Sequence, residues 1–119
     1  MNVSVSNGEL LDKLSILAIK LEKELDVHKE YDILSQTATE LLSYPQITHL
    51  YNVLKCINEQ LWDIEDAKRK HEQDEIFDVN FVIYARIVYM LNDERAKIKK
   101  YIDKISGSGI SEVKSHRSY

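Results

Sequence analysis

Helix-breaking residues are scarce in this chain of 119 residues, which contains one proline and three glycines. An all-β fold needs more turns than so few of these residues could supply. Cysteine is scarcer still, since Cys56 stands alone and cannot form a disulfide within the chain. Its place beside Ile57 in a helical pattern predicts a small, buried hydrophobic side chain.

Long apolar runs are also missing. No stretch reaches the roughly 18 apolar residues of a membrane span, and the opening MNVSVSNGELL lacks the basic and apolar regions of a signal peptide. The formal net charge is −4, and no segment concentrates lysine and arginine without nearby acids. We therefore expect a cytoplasmic protein that binds neither nucleic acid nor a membrane.

Three segments carry apolar residues at the three- and four-residue spacing of helices. The first, about 8–42, follows a capping box formed by Ser6 and Glu9, and a break near residue 35 is left open because Ser35 is an indifferent helix former. Pro45 begins the second, about 45–72; the third spans about 79–106, before a polar tail at 107–119. The pattern predicts a single all-α domain, an antiparallel three-helix bundle of long helices packed as in a coiled coil.

We expect the third helix to organise the bundle. Its inward stripe has a strict helical spacing and comprises Phe81, Tyr84, Val88, Leu91, Arg95, Ile98, Ile102 and Ile105. Apart from Arg86, residues 81–91 carry no charge, so this half should be covered on more than one side. The extra apolar width around Ile83, Ile87 and Met90 predicts a homodimer, and a further protein partner is left open.

The second and third helices also carry polar residues on facing sides. If the two helices run antiparallel about residues 73–78, positions equidistant from this turn should meet. That arrangement pairs Arg86 with Glu65 or Asp66, and it sets Asn58 near the level of Asn92 and Asp93. The resulting polar band comprises Asn58, Trp62, Glu65, Asp66, Arg86, Tyr89, Asn92, Asp93 and Arg95.

Two interpretations of this band are open. It could be a set of buried salt bridges that fix register, since an unpaired Arg86 in an apolar run would be costly. It could instead bind a ligand through Trp62, Glu65, Asp66, Arg86, Tyr89, Asn92, Asp93 and Arg95, because inward carboxylates suit Mg²⁺ and arginine suits anions. Acids that are paired and closed to solvent would exclude an enzyme, whereas two or more unpaired acids in an open pocket would favour one.

Known enzymes match only in part. The four-helix nucleotide pyrophosphohydrolases place several acids on two helices, but their doubled acid motif is missing here. The stretch LNDERAKIKKYIDKI resembles the opening helix of all-helical chorismate mutases over one short motif. The four histidines lie in four different segments without metal-ligand spacing, so we expect neither a metal nor a cofactor.

Three longer motifs, GELLDK, LWDIED and VYMLNDERA, occur in an order and spacing that resemble a family of uncharacterised, small all-helical domains of bacteria and their phages. The resemblance covers almost the whole chain, although Val113 and His116-Arg117 interrupt the compact tail of the family. It implies that the motifs belong to one unit, and it supplies no established function. We therefore expect a non-catalytic binding or assembly module; the alternative is a small-molecule or metal-binding enzyme with its site in the polar band.

Overall fold

The computed structural model of the protein describes residues 5–107, and the predicted polar tail beyond residue 107 lies outside them. Four α-helices follow one another: Asn7–Glu22 (α1), His28–Ala38 (α2), Pro45–Gln73 (α3) and Val79–Ile105 (α4), with a 3₁₀ turn at Leu41–Ser43. Residues 5–107 contain no β-strand. The predicted all-α class is confirmed, but the described residues form four α-helices rather than three.

The predicted first helix is divided at residues 23–27 and not near residue 35, which lies inside α2. At the end of α1, Glu24 adopts a left-handed conformation with φ of 62°, and the Leu25 amide donates to the Lys20 carbonyl. This is a Schellman motif, which stops a helix and turns the chain. Glycine usually occupies the left-handed position, and its absence here explains why the sequence did not reveal the break.

The two longer helices are also followed by a residue in the left-handed conformation. At the end of α3, Glu75 has φ of 56° and the Ile76 amide donates to the His71 carbonyl. At the end of α4, Gly107 has φ of 64°. Both α3 and α4 begin and end within one residue of their predicted bounds, and the Asp78 carboxylate caps α4 by accepting from the Asn80 and Phe81 amides.

The most buried helix is α1, not α4 as expected. Half of the residues of α1 are buried, whereas Ile102 is the one buried residue of α4. The hydrophobic core draws on all four helices and contains Leu10, Leu11, Leu14, Ala38, Ile47, Leu50, Leu54 and Ile102. α1 packs on α3 and α4 together, and α2 folds back onto α1. The organising element is therefore the short first helix, held in the angle between the two long ones.

Several side chains are more exposed than predicted. Cys56 lies on the surface rather than in the core. Val82, Ile83, Tyr89 and Met90 are exposed as well, so the described residues of this single chain do not cover the apolar half of α4 on more than one side. No helix among the described residues is long and apolar enough to cross a membrane.

Candidate functional site

Asp12 on α1 is the centre of a polar network that joins three helices. Its side chain is only 1% exposed. From α4, Arg95 Nε donates to Asp12 Oδ1 at 2.8 Å and Arg95 Nη2 donates to Oδ2 at 2.6 Å. From α3, Asn58 Nδ2 donates to Oδ1 at 3.0 Å, and Lys99 Nζ stands 3.8 Å from Oδ2. A buried carboxylate is thus matched by one bidentate cation, one amide and a second cation.

Ser15 completes this set, which we call the Asp12 network: Asp12, Ser15, Asn58, Arg95 and Lys99. The Ser15 hydroxyl donates to the Asp12 carbonyl at 2.7 Å and accepts from Asn58 Nδ2 at 2.8 Å. Because an ionised carboxylate can only accept, Asn58 must turn its NH₂ group toward Asp12. The amide oxygen of Asn58 therefore points elsewhere, and no donor within residues 5–107 reaches it.

The start of α1 lies very close to α4. A Cβ atom on Gly8 would come within 2.3 Å of the Lys99 carbonyl oxygen, so only glycine permits this approach. The Gly8 amide donates to Asp103 Oδ1 at 2.7 Å, and Lys99 Nζ lies 2.8 Å from Glu9 Oε2. The negative Asp103 is well placed at the positive end of the α1 dipole. Gly8, Glu9 and Asp12 of the GELLDK motif therefore all serve to dock α1 on α4.

Burial alone would raise the pKa of Asp12, because a charged carboxylate is less stable away from water. Hydrogen bonds from Arg95 and Asn58, together with the positive charges of Arg95 and Lys99, outweigh burial and hold the pKa below its ordinary value. The hydrogen bonds to Asp12 in turn raise the pKa of Arg95. The pair is ionised at neutral pH.

Beside the Asp12 network, residues of α1, α3 and α4 line a cleft of about 510 Å³ that is open to solvent. Its apolar wall comes from Ile16, Ile19, Leu61 and Trp62. Its polar wall comes from Asn58, Glu65, Asp66, Arg69, Asn92 and Arg95. This volume is in the range of small-molecule sites.

Five of the eight predicted ligand-binding residues line this cleft, namely Trp62, Glu65, Asp66, Asn92 and Arg95. Asn92 Oδ1 accepts from Arg95 Nη1 at 3.3 Å. The other three, Arg86, Tyr89 and Asp93, are exposed on α4 and are not part of the cleft wall. The sequence thus grouped residues of the cleft wall with an adjacent exposed surface of α4.

The predicted pairing of Arg86 with Glu65 or Asp66 is wrong. Arg86 is exposed, and Asp66 pairs with Arg69 at 2.8 Å. Closer to the turn, α4 packs on α3 through Tyr84, whose ring lies edge-on against His71 with 5.2 Å between centroids. Counting outward from the turn did not predict which face of its helix each residue occupies.

The acids of the polar band are neither all paired and closed to solvent, as a binding module would have them, nor unpaired in an open pocket, as an enzyme would. Glu65 and Asp66 line an open cleft, which speaks against closed structural salt bridges. Asp66, however, has a basic partner, so one acid rather than two is uncompensated. Across the described residues, no three histidine, cysteine or acidic side chains are grouped so that they could hold a metal ion.

The buried carboxylate at the centre of the network, Asp12, was not predicted. A signal was present, because Asp12 lies between Leu11 and Leu14 on a helix whose apolar residues occupy most of its circumference. A carboxylate at such a position requires a buried cation, and Arg95 is the charged residue on the inward stripe of α4.

The fold and the site define a small all-helical protein in which a buried ion pair joins the first helix to the last. The chain belongs to a family of unknown function (DUF6165), whose model matches residues 1–118. This confirms the expected membership of an uncharacterised family. Neither a curated protein nor a solved structure matches the chain.

Proposed function

We propose that the protein is a non-catalytic assembly module that forms a homodimer through the outer face of α4. The observation that carries this proposal is an apolar stripe on the half of α4 next to the α3–α4 turn, comprising Val79, Ile83, Ile87 and Met90. Val79 and Met90 are 69% and 63% exposed, and Ile83 is 44% exposed. We call these four residues the α4 stripe.

The position of the α4 stripe supports a role in association. α1 meets α4 at Arg95, Lys99 and Asp103, all on the far side of Leu91 from the turn. Between residues 79 and 91, α4 packs on α3 through its inward face and leaves its outer face exposed. A helix that is apolar on more than one side is normally buried on more than one side.

A second copy of the chain is the occupant that suits this surface. The stripe is about 17 Å long at 1.5 Å per residue, and it gives way to the charged Glu94 and Lys97 where α1 begins to pack on α4. Two hairpins related by a two-fold axis would each cover the stripe of the other and complete a four-helix arrangement. The same patch serves both partners, so no additional protein is required.

The test is a measurement of molar mass by sedimentation across a range of protein concentrations. The wild type should approach twice its chain mass of 13.9 kDa. Ile83→Asp should shift the protein toward the monomer, because a charge would be buried at the centre of the interface. Ile33→Asp is the matched control: Ile33 is 66% exposed on α2, far from the stripe, and its replacement should leave the dimer intact.

A wild-type protein that stays monomeric at every concentration contradicts the proposal. An equal loss of association in Ile83→Asp and Ile33→Asp contradicts it as well, since that result would reflect added charge rather than the α4 stripe.

A further inference from the structure

The cleft contains a hydrogen-bond acceptor that the protein holds in place but does not use. Asn58 is only 5% exposed, and both Asp12 and Ser15 accept from its Nδ2 atom. Its Oδ1 accepts from no donor within residues 5–107. Every side-chain oxygen of that part that is shielded from solvent has a hydrogen-bond partner, so Asn58 Oδ1 must be accessible to solvent. Because Asn58 lines the cleft, this oxygen is the acceptor that a ligand would meet there.

One charge in the cleft is also uncompensated. Arg95 is neutralised by Asp12, and Arg69 pairs with Asp66. Within the described part of the chain, Glu65 has no basic partner, although two arginines line the same cleft. Among the charged residues of the cleft wall, Glu65 is therefore the one without an ion-pair partner in the described part of the chain.

The surface between these two groups is apolar. Asn58 and Glu65 are seven residues apart on α3, so they lie on the same side of the helix, about 10 Å apart along its axis. Leu61 and Trp62 fall between them and line the same cleft. The ammonium group of Lys23 already lies 5.3 Å from the centre of the Trp62 ring, a distance at which an aromatic face attracts a cation.

We propose that the cleft binds a short-chain organic amine that carries a neutral N–H donor at its other end. The ammonium group lies at Glu65, the alkyl chain packs on Leu61 and Trp62, and the N–H group donates to Asn58 Oδ1. The order of acceptor, apolar surface and carboxylate along α3 matches the order of donor, chain and cation along such a molecule. This site is separate from the α4 stripe, so the two proposals stand or fall independently.

Trp62 provides the measurement, because it is the single tryptophan of the chain and lines the cleft. Its fluorescence is followed during titration with N-acetylcadaverine, which has both an amide N–H and an ammonium group. Two probes lack one feature each: n-pentylamine has no amide, and N-pentylacetamide has no charge. We expect N-acetylcadaverine to bind at least about tenfold more tightly than either, because each lost polar contact leaves a protein group unpaired.

The variant Glu65→Gln removes the charge and keeps the shape of an exposed side chain, so the fold should be unaffected. It should weaken the binding of N-acetylcadaverine about tenfold. Glu72→Gln is the matched control, since Glu72 lies two turns further along the same side of α3 and outside the cleft. It should not change the affinity.

Three results would overturn the proposal. One is an unchanged Trp62 signal at millimolar concentrations of all three probes. Another is equal binding of N-acetylcadaverine and N-pentylacetamide, which would mean that the charge of Glu65 plays no part. The third is an equal loss of affinity in the Glu65→Gln and Glu72→Gln variants, which would indicate general attraction to an acidic surface.

Discussion

Asp12 and Arg95 lie 83 positions apart in the chain and meet through two hydrogen bonds, of 2.8 and 2.6 Å, one to each carboxylate oxygen. A bidentate pair of this kind has a narrow range of allowed geometries. It therefore sets both the position of α1 along α4 and the rotation of α1 about its axis. Asn58, which also bonds to Asp12, fixes the same helix relative to α3.

Arg95→Met should lower the free energy of unfolding by about 3 kcal/mol, because it leaves the buried Asp12 without its main counter-charge. The double variant Asp12→Leu, Arg95→Met should lose less than the sum of the two single variants, since it leaves no buried charge. Urea denaturation of the four proteins measures both effects.

Arg69→Met provides the matched control for this cycle. Arg69 pairs with Asp66 at the same distance of 2.8 Å, but both side chains are more than half exposed. The expected loss is below about 1 kcal/mol. If Arg95→Met were no more destabilising than Arg69→Met, the Asp12 network would not contribute to stability as its burial indicates.

The free energy of unfolding should decrease in acid, and protonation of Asp12 should account for part of that decrease. Its pKa is lowered in the folded state, so the unfolded chain binds the proton at a higher pH than the folded chain does. The stabilisation is fully present above the unfolded pKa of about 3.9. It is lost as the pH falls through the lower pKa of the folded state.

The measurement is the urea midpoint between about pH 6 and pH 2 for the wild type and for Asp12→Asn, which has no proton to bind at this position. The acid limb of the variant should be flatter. Parallel limbs in the two proteins would show that other carboxylates account for the acid sensitivity.

Gly8→Ala should destabilise the protein by about 1–3 kcal/mol, the usual cost of overpacking. The new Cβ would meet the Lys99 carbonyl oxygen at 2.3 Å, and the backbone of α4 cannot turn aside as a flexible side chain could. Thermal unfolding is the simplest measurement.

Gly107→Ala serves as comparison, because its Cβ has open space and the expected cost of about 1 kcal/mol comes from backbone conformation alone. A Gly8→Ala protein as stable as the wild type would mean that α1 and α4 are not in such close contact.

Glu24→Gly should stabilise the protein by about 0.5–1 kcal/mol, since glycine adopts the left-handed conformation at the end of α1 without steric cost. Glu30→Gly is the control in the opposite direction. Glu30 lies in the first turn of α2, where glycine should lower the stability because it loses more backbone freedom on folding than glutamate does. Urea midpoints that shift in the same direction for both variants would argue against the Schellman motif at Glu24.

A helix end could be predicted from the sequence where it carries a residue with a strong conformational preference, such as proline or glycine. Pro45 marks the start of α3, and Gly107 marks the end of α4. The end of α1 relies on Glu24, which carries no such mark. Tertiary packing of α2 on α1 outweighs the local cost there, and a sequence pattern does not report that balance.

The candidate site was predictable to the extent that it lies on one helix face. Trp62 and Glu65 share a side of α3, and helical periodicity placed them together. Asp12 meets Asn58 and Arg95 only because α1 docks on both α3 and α4. The periodicity of a single helix does not report that docking, so Asp12 was not predicted. For Arg86 the apolar neighbours suggested burial, but several of those neighbours, such as Ile83 and Met90, are themselves exposed.

The sequence separation within the Asp12 network also bears on the order of folding events. Asn58 and Arg95 lie 46 and 83 residues from Asp12, whereas α3 and α4 adjoin through a short turn at 74–78. Local contacts form first and distant ones later, so we expect α1 to dock onto a hairpin that already exists. Loss of the ion pair should then speed unfolding and leave the folding rate nearly unchanged. The pair of Asp12 and Arg95 sets how long the folded molecule lasts rather than how quickly it forms.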